Sequence, residues 1–381
     1  MTDQRIRYGM VGGGPGAFIG AVHRMAARLE GRYELVAGAF SSQPDKARAM
    51  GLELRLDTDR VYASYQEMAR LESSRPDGIE AVVIVTPNHL HYPVAKAFLE
   101  AGVHVICDKP LATTLKDAEA LRDLVKASGR LFFVCYTYGT YPMVAQAREM
   151  VRTGQIGVVR VVQVEYAQSW LSTAVEQTGS PQASWRTDPA LAGEGGCLGD
   201  IGTHAYHLVE YVTGLRTQSL AAELTHFVPG RRLDDNVQVL LRFAGGAKGA
   251  LWASQVAAGE DNALRLRVYG DRASVCWDQE HPDELRFAPL GAPPQRLRRG
   301  GPGVGPWATG VTHLPIGHPE GTLEGFGLLY SEVADALIAV REHRPVPAIR
   351  VATIEDGVAG MRFVAACVRS SRQDAAWVTL D

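Results

Sequence analysis

The first third of the chain alternates short, wholly apolar runs with segments in which apolar residues recur every three or four positions. Ala81-Val82-Val83-Ile84-Val85 is an uninterrupted apolar run, the pattern of a strand buried on both faces. The pattern predicts strands at residues 6–11, 35–40, 81–85, 104–107 and 131–135, with helices at 21–29, 92–101 and 115–127. Strand and helix in alternation imply a doubly wound parallel sheet with helices on both faces.

Past Tyr136 the rhythm changes. A helix at 143–152 leads into a long alternating segment at 158–168, and strand-like stretches follow at 219–227, 237–243, 249–255 and 264–269. Joined by turns such as Ala244-Gly245-Gly246-Ala247, they read as a large, mainly antiparallel open sheet. The Gly/Pro-rich stretch 291–306 reads as a loop insertion, and helices near 323–343 and 354–372 close the chain. The expected architecture is an α/β domain over 1–135 followed by an α+β domain over 136–381.

A length of 381 residues, 46% apolar and 21% charged, suits two globular domains. The net charge, 39 − 42 = −3, gives no steering toward nucleic acid or an anionic membrane. Arg296, Arg298 and Arg299 fall in the predicted loop and read as simple solvation. The five cysteines, Cys107, Cys135, Cys197, Cys276 and Cys367, are scattered and form no C-x-x-C pair, which argues against a disulfide scaffold or structural zinc and fits a reducing cytoplasm. No signal-peptide core precedes the first strand, and no run reaches the ~18 apolar residues of a membrane span. A soluble cytoplasmic protein is expected.

Between the first strand and first helix lies Gly12-Gly13-Gly14-Pro15-Gly16-Ala17, a G-x-G-x-x-A match. Such glycines let the backbone turn tightly and approach a pyrophosphate, which N–H groups at the helix start then bind. The second strand normally ends in an acid that holds the ribose 2′-hydroxyl of NAD. Here it ends in Phe40-Ser41-Ser42-Gln43-Pro44-Asp45: the serines suit a 2′-phosphate and Asp45 suits a ribose, so NAD and NADP both stay open. Two further strands end in Thr86-Pro87-Asn88-His89-Leu90-His91 and in Asp108-Lys109-Pro110, placing Thr86, Pro87, Asn88, His91, Asp108 and Lys109 toward the same crevice. A lysine there hydrogen-bonds the reacting oxygen and favours its developing negative charge.

In the second part, residues 195–207 carry Asp200 and His204 four positions apart, on one face of a helix starting near Gly199. A neutral imidazole accepts a proton and a neighbouring carboxylate orients it. The plainer reading makes Asp200 a helix-start acid and His204 a packed histidine. Asp200, His204 and His207 also match the donor types of a metal site. Gln168, Trp185, Arg186 and His318, with Tyr166, Trp170 and His313 nearby in the pattern, supply the aromatic faces and polar donors that suit a sugar ring.

The spacing of the glycine loop, Thr86-Pro87-Asn88, Asp108-Lys109-Pro110 and the 195–207 segment resembles the glucose–fructose oxidoreductase, inositol dehydrogenase and rhizopine catabolism family along nearly the whole chain. The resemblance implies an N-terminal Rossmann domain and a C-terminal substrate-binding and oligomerisation domain. It also implies a catalytic lysine from a Glu-Lys-Pro motif, mapped onto Lys109, and a D-x-x-x-H motif across the sugar or polyol from it, mapped onto Asp200 and His204. Asp108 departs from the usual glutamate, and the acid of the second strand is missing. The expected activity is oxidation of a secondary hydroxyl of a sugar, glycoside, anhydrosugar or inositol-like polyol, with NAD ahead of NADP, no metal, and a homodimer or homotetramer built through the open sheet. The rivals are a nicotinamide-dependent glycosidase that oxidises its sugar transiently and a non-catalytic sugar-sensing regulator.

Overall fold

A computed structural model describes residues 5–380. In chain order the first elements are β1 (Ile6–Gly12), α1 (Phe18–Leu29), β2 (Tyr33–Ala39), α2 (Pro44–Glu53), α3 (Tyr65–Glu72), β3 (Ala81–Val85), α4 (His91–Glu100), β4 (His104–Cys107), α5 (Leu115–Ser128) and β5 (Phe132–Val134). There follow α6 (Pro142–Arg152), β6 (Val159–Ala167), α7 (Pro181–Arg186), α8 (Pro189–Ala192), α9 (Thr203–Thr213), β7 (Thr217–Thr225), β8 (Asn236–Phe243), β9 (Lys248–Ser254), β10 (Ala263–Gly270), β11 (Ala273–Asp278), β12 (Glu284–Pro289) and β13 (Gln295–Arg298). The chain closes with α10 (Pro306–Thr309), α11 (Thr322–Arg341), α12 (Ile354–Ser371) and β14 (Val378–Thr379).

Two compact units result: the chain through Thr137 together with Thr322–Val358, and Tyr138–Gly321 together with the chain from Ala359. The division is therefore not the single cut expected near residue 136. The reason is α11, whose Tyr330, Val333 and Leu337 are buried in one core with Ile6, Met10, Val83 and Ile106. Polar contacts register it there: Tyr33 donates to the Tyr330 carbonyl at 2.8 Å, and the Tyr330 hydroxyl lies 2.8 Å from His23 Nδ1.

The first unit holds a parallel sheet of order β2-β1-β3-β4-β5. β1 lies between β2 and β3, so the winding direction reverses there, and ligands of such sheets bind beyond the carboxyl ends at that reversal. The glycine loop leaves β1 at this point. The predicted strands agree with the observed ones to within a residue or two. The pattern missed α2 and α3, short helices with largely polar surfaces.

The second unit is built on a sheet of order β13-β12-β11-β10-β6-β9-β8-β7-β14, antiparallel except for β6 beside β9. Val162, Val164 and Tyr166 of β6 are buried on one face, while Val161, Leu240 and Tyr269 are exposed on the other. On the covered side Tyr206 of α9 stacks on Phe363 of α12 at 4.1 Å. The expected loop at 291–306 contains a strand, because β13 pairs antiparallel with β12. Arg299 is correspondingly not a solvated charge: it is 2% exposed and donates to Asp283 at 2.5 Å and Glu320 at 2.8 Å. Among the described residues no helix is long and apolar enough to cross a membrane.

Candidate active site

The glycine loop has a conformation that side chains oppose. Gly12, Gly13 and Gly16 have φ of +86°, +69° and +78°, in the left-handed region where glycine carries no steric cost. A Cβ on Gly14 would sit 2.7 Å from the Phe40 carbonyl oxygen, and one on Gly20 would sit 2.5 Å from the Gly13 Cα. The loop thus lies directly on the end of β2 and the first turn of α1, and a Cβ at Gly16 would meet only open space. Ala17, at the N-cap of α1, gives no side-chain cap, so the first amide donors of the helix stay available to an anion. These features fit a dinucleotide pyrophosphate against Gly12, Gly14, Gly16 and Ala17, with Pro15 exposed beside them.

The end of β2 differs from expectation. The Phe40 ring is 3% exposed and packs over Gly38, so only its backbone faces the loop, because a strand end at the core claims the aromatic ring. Ser41 Oγ accepts from the Gln43 amide at 3.1 Å. Ser42 and Asp45 are exposed, and Asp45 in the first turn of α2 pairs with Arg48 at 2.7 Å.

β3 continues through Thr86 and Pro87 into a 3-10 turn at Asn88–Leu90, with Asn88 buried. β4 ends at Cys107; the Asp108 amide donates to the Ile84 carbonyl at 3.0 Å, and the Asp108 carboxylate accepts from the Lys109 amide at 2.8 Å. His91 was expected to face the cofactor, but its ring is 1% exposed between two carbonyls, with Nδ1 2.7 Å from Pro110 O and Nε2 3.0 Å from Thr86 O. A neutral imidazole donates to one of these, and burial lowers the pKa of His91 against the opposing pull of the Pro110 carbonyl. Its place is behind the strand ends, tying the Thr86 and Pro110 segments together.

In the second unit, Gly195 to Leu198 is strapped to Asp234: the Gly196 amide donates to one carboxylate oxygen at 2.6 Å and the Leu198 amide to the other at 2.7 Å. Burial raises the Asp234 pKa to about 6, opposed by those two amides. Gly196 is required here, since a Cβ would meet the Asp234 carbonyl oxygen at 2.3 Å. The chain then enters a π-helical turn, Leu198–Gly202, in place of the regular helix expected from Gly199. The wider turn carries Asp200, and α9 follows with His204 in its first turn.

Asp200 Oδ2 accepts from Gln255 Nε2 at 2.9 Å and from Arg186 Nε at 3.3 Å. Arg186 lies over the Trp185 ring at 4.1 Å, so both fall beside Asp200, Trp185 acting through the guanidinium it stacks on. The His204 ring is 8% exposed and meets Tyr138 edge-on at 5.0 Å and Tyr166 at 6.2 Å. Those tyrosines begin a polar wall. Their hydroxyls are 2.5 Å apart, Tyr166 donates to Asn262 Oδ1 at 2.8 Å, Gln168 donates to the same oxygen at 2.7 Å, and Trp170 donates to Gln168 at 3.0 Å.

Gln168 thus joins this wall through Asn262. His318 does not: it lies in an exposed loop, and its carbonyl receives the Arg299 guanidinium. Among the described residues no group of three or more His, Cys, Asp or Glu side chains is gathered to hold a metal ion. Tyr138, Gln255 and Asn262 were missed. Only Tyr138 carried a signal, as part of an aromatic cluster just after β5; the other two arrive by sheet pairing alone.

Comparison with known proteins agrees with this architecture. Residues 6–136 match the oxidoreductase family with NAD-binding Rossmann fold, and 144–276 match the GFO/IDH/MocA C-terminal domain. An uncharacterized oxidoreductase of Bacillus subtilis, YfiI, is 36% identical over 99% of this chain and 98% of its own. Levoglucosan dehydrogenase of Pseudarthrobacter phenanthrenivorans is 31% identical over 86% of each chain. The crystal structure of an inositol dehydrogenase homolog from Azotobacter vinelandii, complexed with NADH and myo-inositol, superposes with a TM-score of 0.91 at 38% identity, covering 99% of this chain and 98% of that one. The family match and these relatives make the chain a nicotinamide-dependent oxidoreductase, with a Rossmann unit carrying a glycine cradle and a second unit on a large open sheet. The chain belongs to the GFO/IDH/MocA oxidoreductase family.

Proposed function

We propose that the protein oxidises a secondary hydroxyl of a cyclic polyol or sugar ring, reversibly, with a nicotinamide dinucleotide. The observation that carries this reading is the placement of Asp200 and His204 on consecutive helical turns beside the Tyr138–Tyr166–Asn262–Gln168 wall. A ring bearing many hydroxyls matches a wall of amide and phenol groups with aromatic edges.

When bound, the nicotinamide supplies the hydride acceptor. His204 takes the hydroxyl proton, and its ring is held for that task by Tyr138 and Tyr166. Asp200, anchored by Arg186 and Gln255, orients the substrate and His204 rather than carrying the proton itself. The Lys109 ammonium donates to the reacting oxygen and stabilises its alkoxide character. Asp108 holds the Lys109 amide, a task for which the shorter carboxylate suffices.

NAD ranks ahead of NADP, because the Ser41 hydroxyl is engaged with the Gln43 amide, Asp45 pairs with Arg48, and the relative with myo-inositol is complexed with NADH. The relative bound to NADH and myo-inositol and the levoglucosan dehydrogenase support a ring polyol or anhydrosugar as substrate. The second unit is the substrate-binding and oligomerisation part in this reading, and exposed Val161, Leu240 and Tyr269 on the open sheet support a homodimer or homotetramer. Five free cysteines support a reducing compartment such as the cytoplasm.

A panel of inositols, anhydrosugars and aldoses, each offered with NAD⁺ and with NADP⁺, tests the proposal. Reduced cofactor is expected to accumulate mole for mole with one class of ring substrate. Bond cleavage without net reduction would identify the glycosidase-type reaction instead, and no turnover of any ring polyol would remove the proposal.

A further inference from the structure

Arg24 of α1 is 8% exposed, and its Nη1 donates to the Gly13 carbonyl at 3.1 Å. The peptide unit is planar and trans, so a carbonyl and the amide of the next residue point in opposite directions. Holding the Gly13 oxygen inward against α1 therefore aims the Gly14 N–H the opposite way, away from the Arg24 guanidinium. Gly13 needs this restraint. It has a φ of +69°, and glycine samples positive and negative φ with nearly equal ease.

The composition of the loop raises the importance of that one amide. Pro15 follows directly and has no N–H, so the next peptide gives no donor. The Gly14 carbonyl is already committed to the Ala17 amide at 3.0 Å, which fixes the following peptide by a backbone contact. Among the described residues, the side chain that orients a peptide of this loop is Arg24, at the unit between Gly13 and Gly14. Arg24 is suited to this because α1 meets the loop at Gly20 with no Cβ between them, and the same Nη1 lies 3.5 Å from Met10 Sδ in β1. Its neighbour His23 is fully buried against Tyr330 of α11, which fixes the rotation of α1 and so the direction from which Arg24 reaches the loop.

We infer that Arg24 is a positioning residue for the dinucleotide: it sets the glycine-loop peptide whose amide receives the pyrophosphate, without itself touching the ligand. The pyrophosphate contact depends on Arg24, while adenosine recognition at the end of β2 does not.

Binding of NADH, ADP and adenosine to the whole protein by calorimetry tests it, with Arg24→Met, Arg24→Gln and Arg24→Lys. In R24M and R24Q the affinity for NADH and ADP falls about tenfold, as the loss of one charge-assisted bond predicts, while adenosine binding stays within about twofold. R24K, which keeps a donor of similar reach, falls less. In kinetics the KM for NAD⁺ rises by a larger factor than kcat falls. If R24M does not fold, R24Q carries the same comparison. Unchanged ADP affinity, or equal losses for ADP and adenosine, would overturn the inference, the second because it marks a general loosening of the unit.

Discussion

The guanidinium of Arg186 donates to the carboxylate of Asp200 at 3.3 Å while lying over the Trp185 ring at 4.1 Å. The sequence reading makes Arg186 a substrate contact; the structure also makes it, with Gln255, an anchor of the Asp200 carboxylate. Arg186→Met is expected to lower kcat/KM for the polyol about 10- to 100-fold, the range of a hydrogen bond to a charged group. Arg186→Lys should recover part of this, and NADH affinity should not change. Steady-state kinetics with calorimetric NADH binding reads both, and wild-type turnover in R186M would reduce the pair to an incidental surface contact.

Asn262 joins Tyr166 and Gln168 through one oxygen, at 2.8 and 2.7 Å. Asn262→Ala removes the shared acceptor and leaves both donors to find water. The KM for the polyol should rise about tenfold, equivalent to roughly one net hydrogen bond, with the KM for NAD⁺ unmoved. Equal rises in both would place Asn262 in general packing.

In the proposed binding mode the end of β2, where Ser41 stands in place of an acid, sets cofactor choice. Ser41→Asp puts a carboxylate where a 2′-phosphate would lie, so NADP⁺ use should drop by at least about tenfold while NAD⁺ use is kept or improved. The ratio of kcat/KM for the two cofactors measures this. A ratio that does not change would mean that the ribose is read elsewhere.

The first unit carries an acid sensitivity with a definite sign. Burial lowers the pKa of His104 from 6.5 to about 4, and its Nδ1 accepts the Leu131 amide at 2.9 Å, which requires the neutral ring. His23 is likewise lowered by burial to about 4. Both rings bind fewer protons folded than unfolded, so their contribution is fully present above pH 6.5 and is lost as pH falls toward 4. The loss is of order 3 kcal/mol for each ring. Denaturant unfolding across this window should show stability falling with acidification, and His104→Asn, which offers an acceptor that does not titrate, should flatten the slope. A slope identical in H104N would contradict the assignment.

The sequence showed most clearly what repeats along the chain. β3 was legible to the residue because a strand buried on both faces is an unbroken apolar run. The glycine loop was legible because its backbone angles exclude other residues. What stayed hidden depends on partners far away in sequence. β13 was lost in a Gly/Pro-rich stretch and is defined by its pairing with β12. The π turn at Leu198–Gly202 begins where the Leu198 amide is strapped to Asp234, 36 residues away. His91 and Phe40 pointed to the right ends of the right strands, but alternation along a strand end does not tell a ring that faces the ligand from one that supports it.

The proposed oxidation turns on His204 as the proton acceptor. The most direct measurement is His204→Ala, assayed by reduced-cofactor formation with the best ring substrate, alongside NADH affinity. General acid–base catalysis contributes about 10²- to 10⁴-fold, so a fall in kcat of that size is expected, with NADH binding within about twofold of wild type. A variant that turns over at near wild-type rate, or one whose loss is matched by loss of NADH binding, would contradict the role assigned to His204.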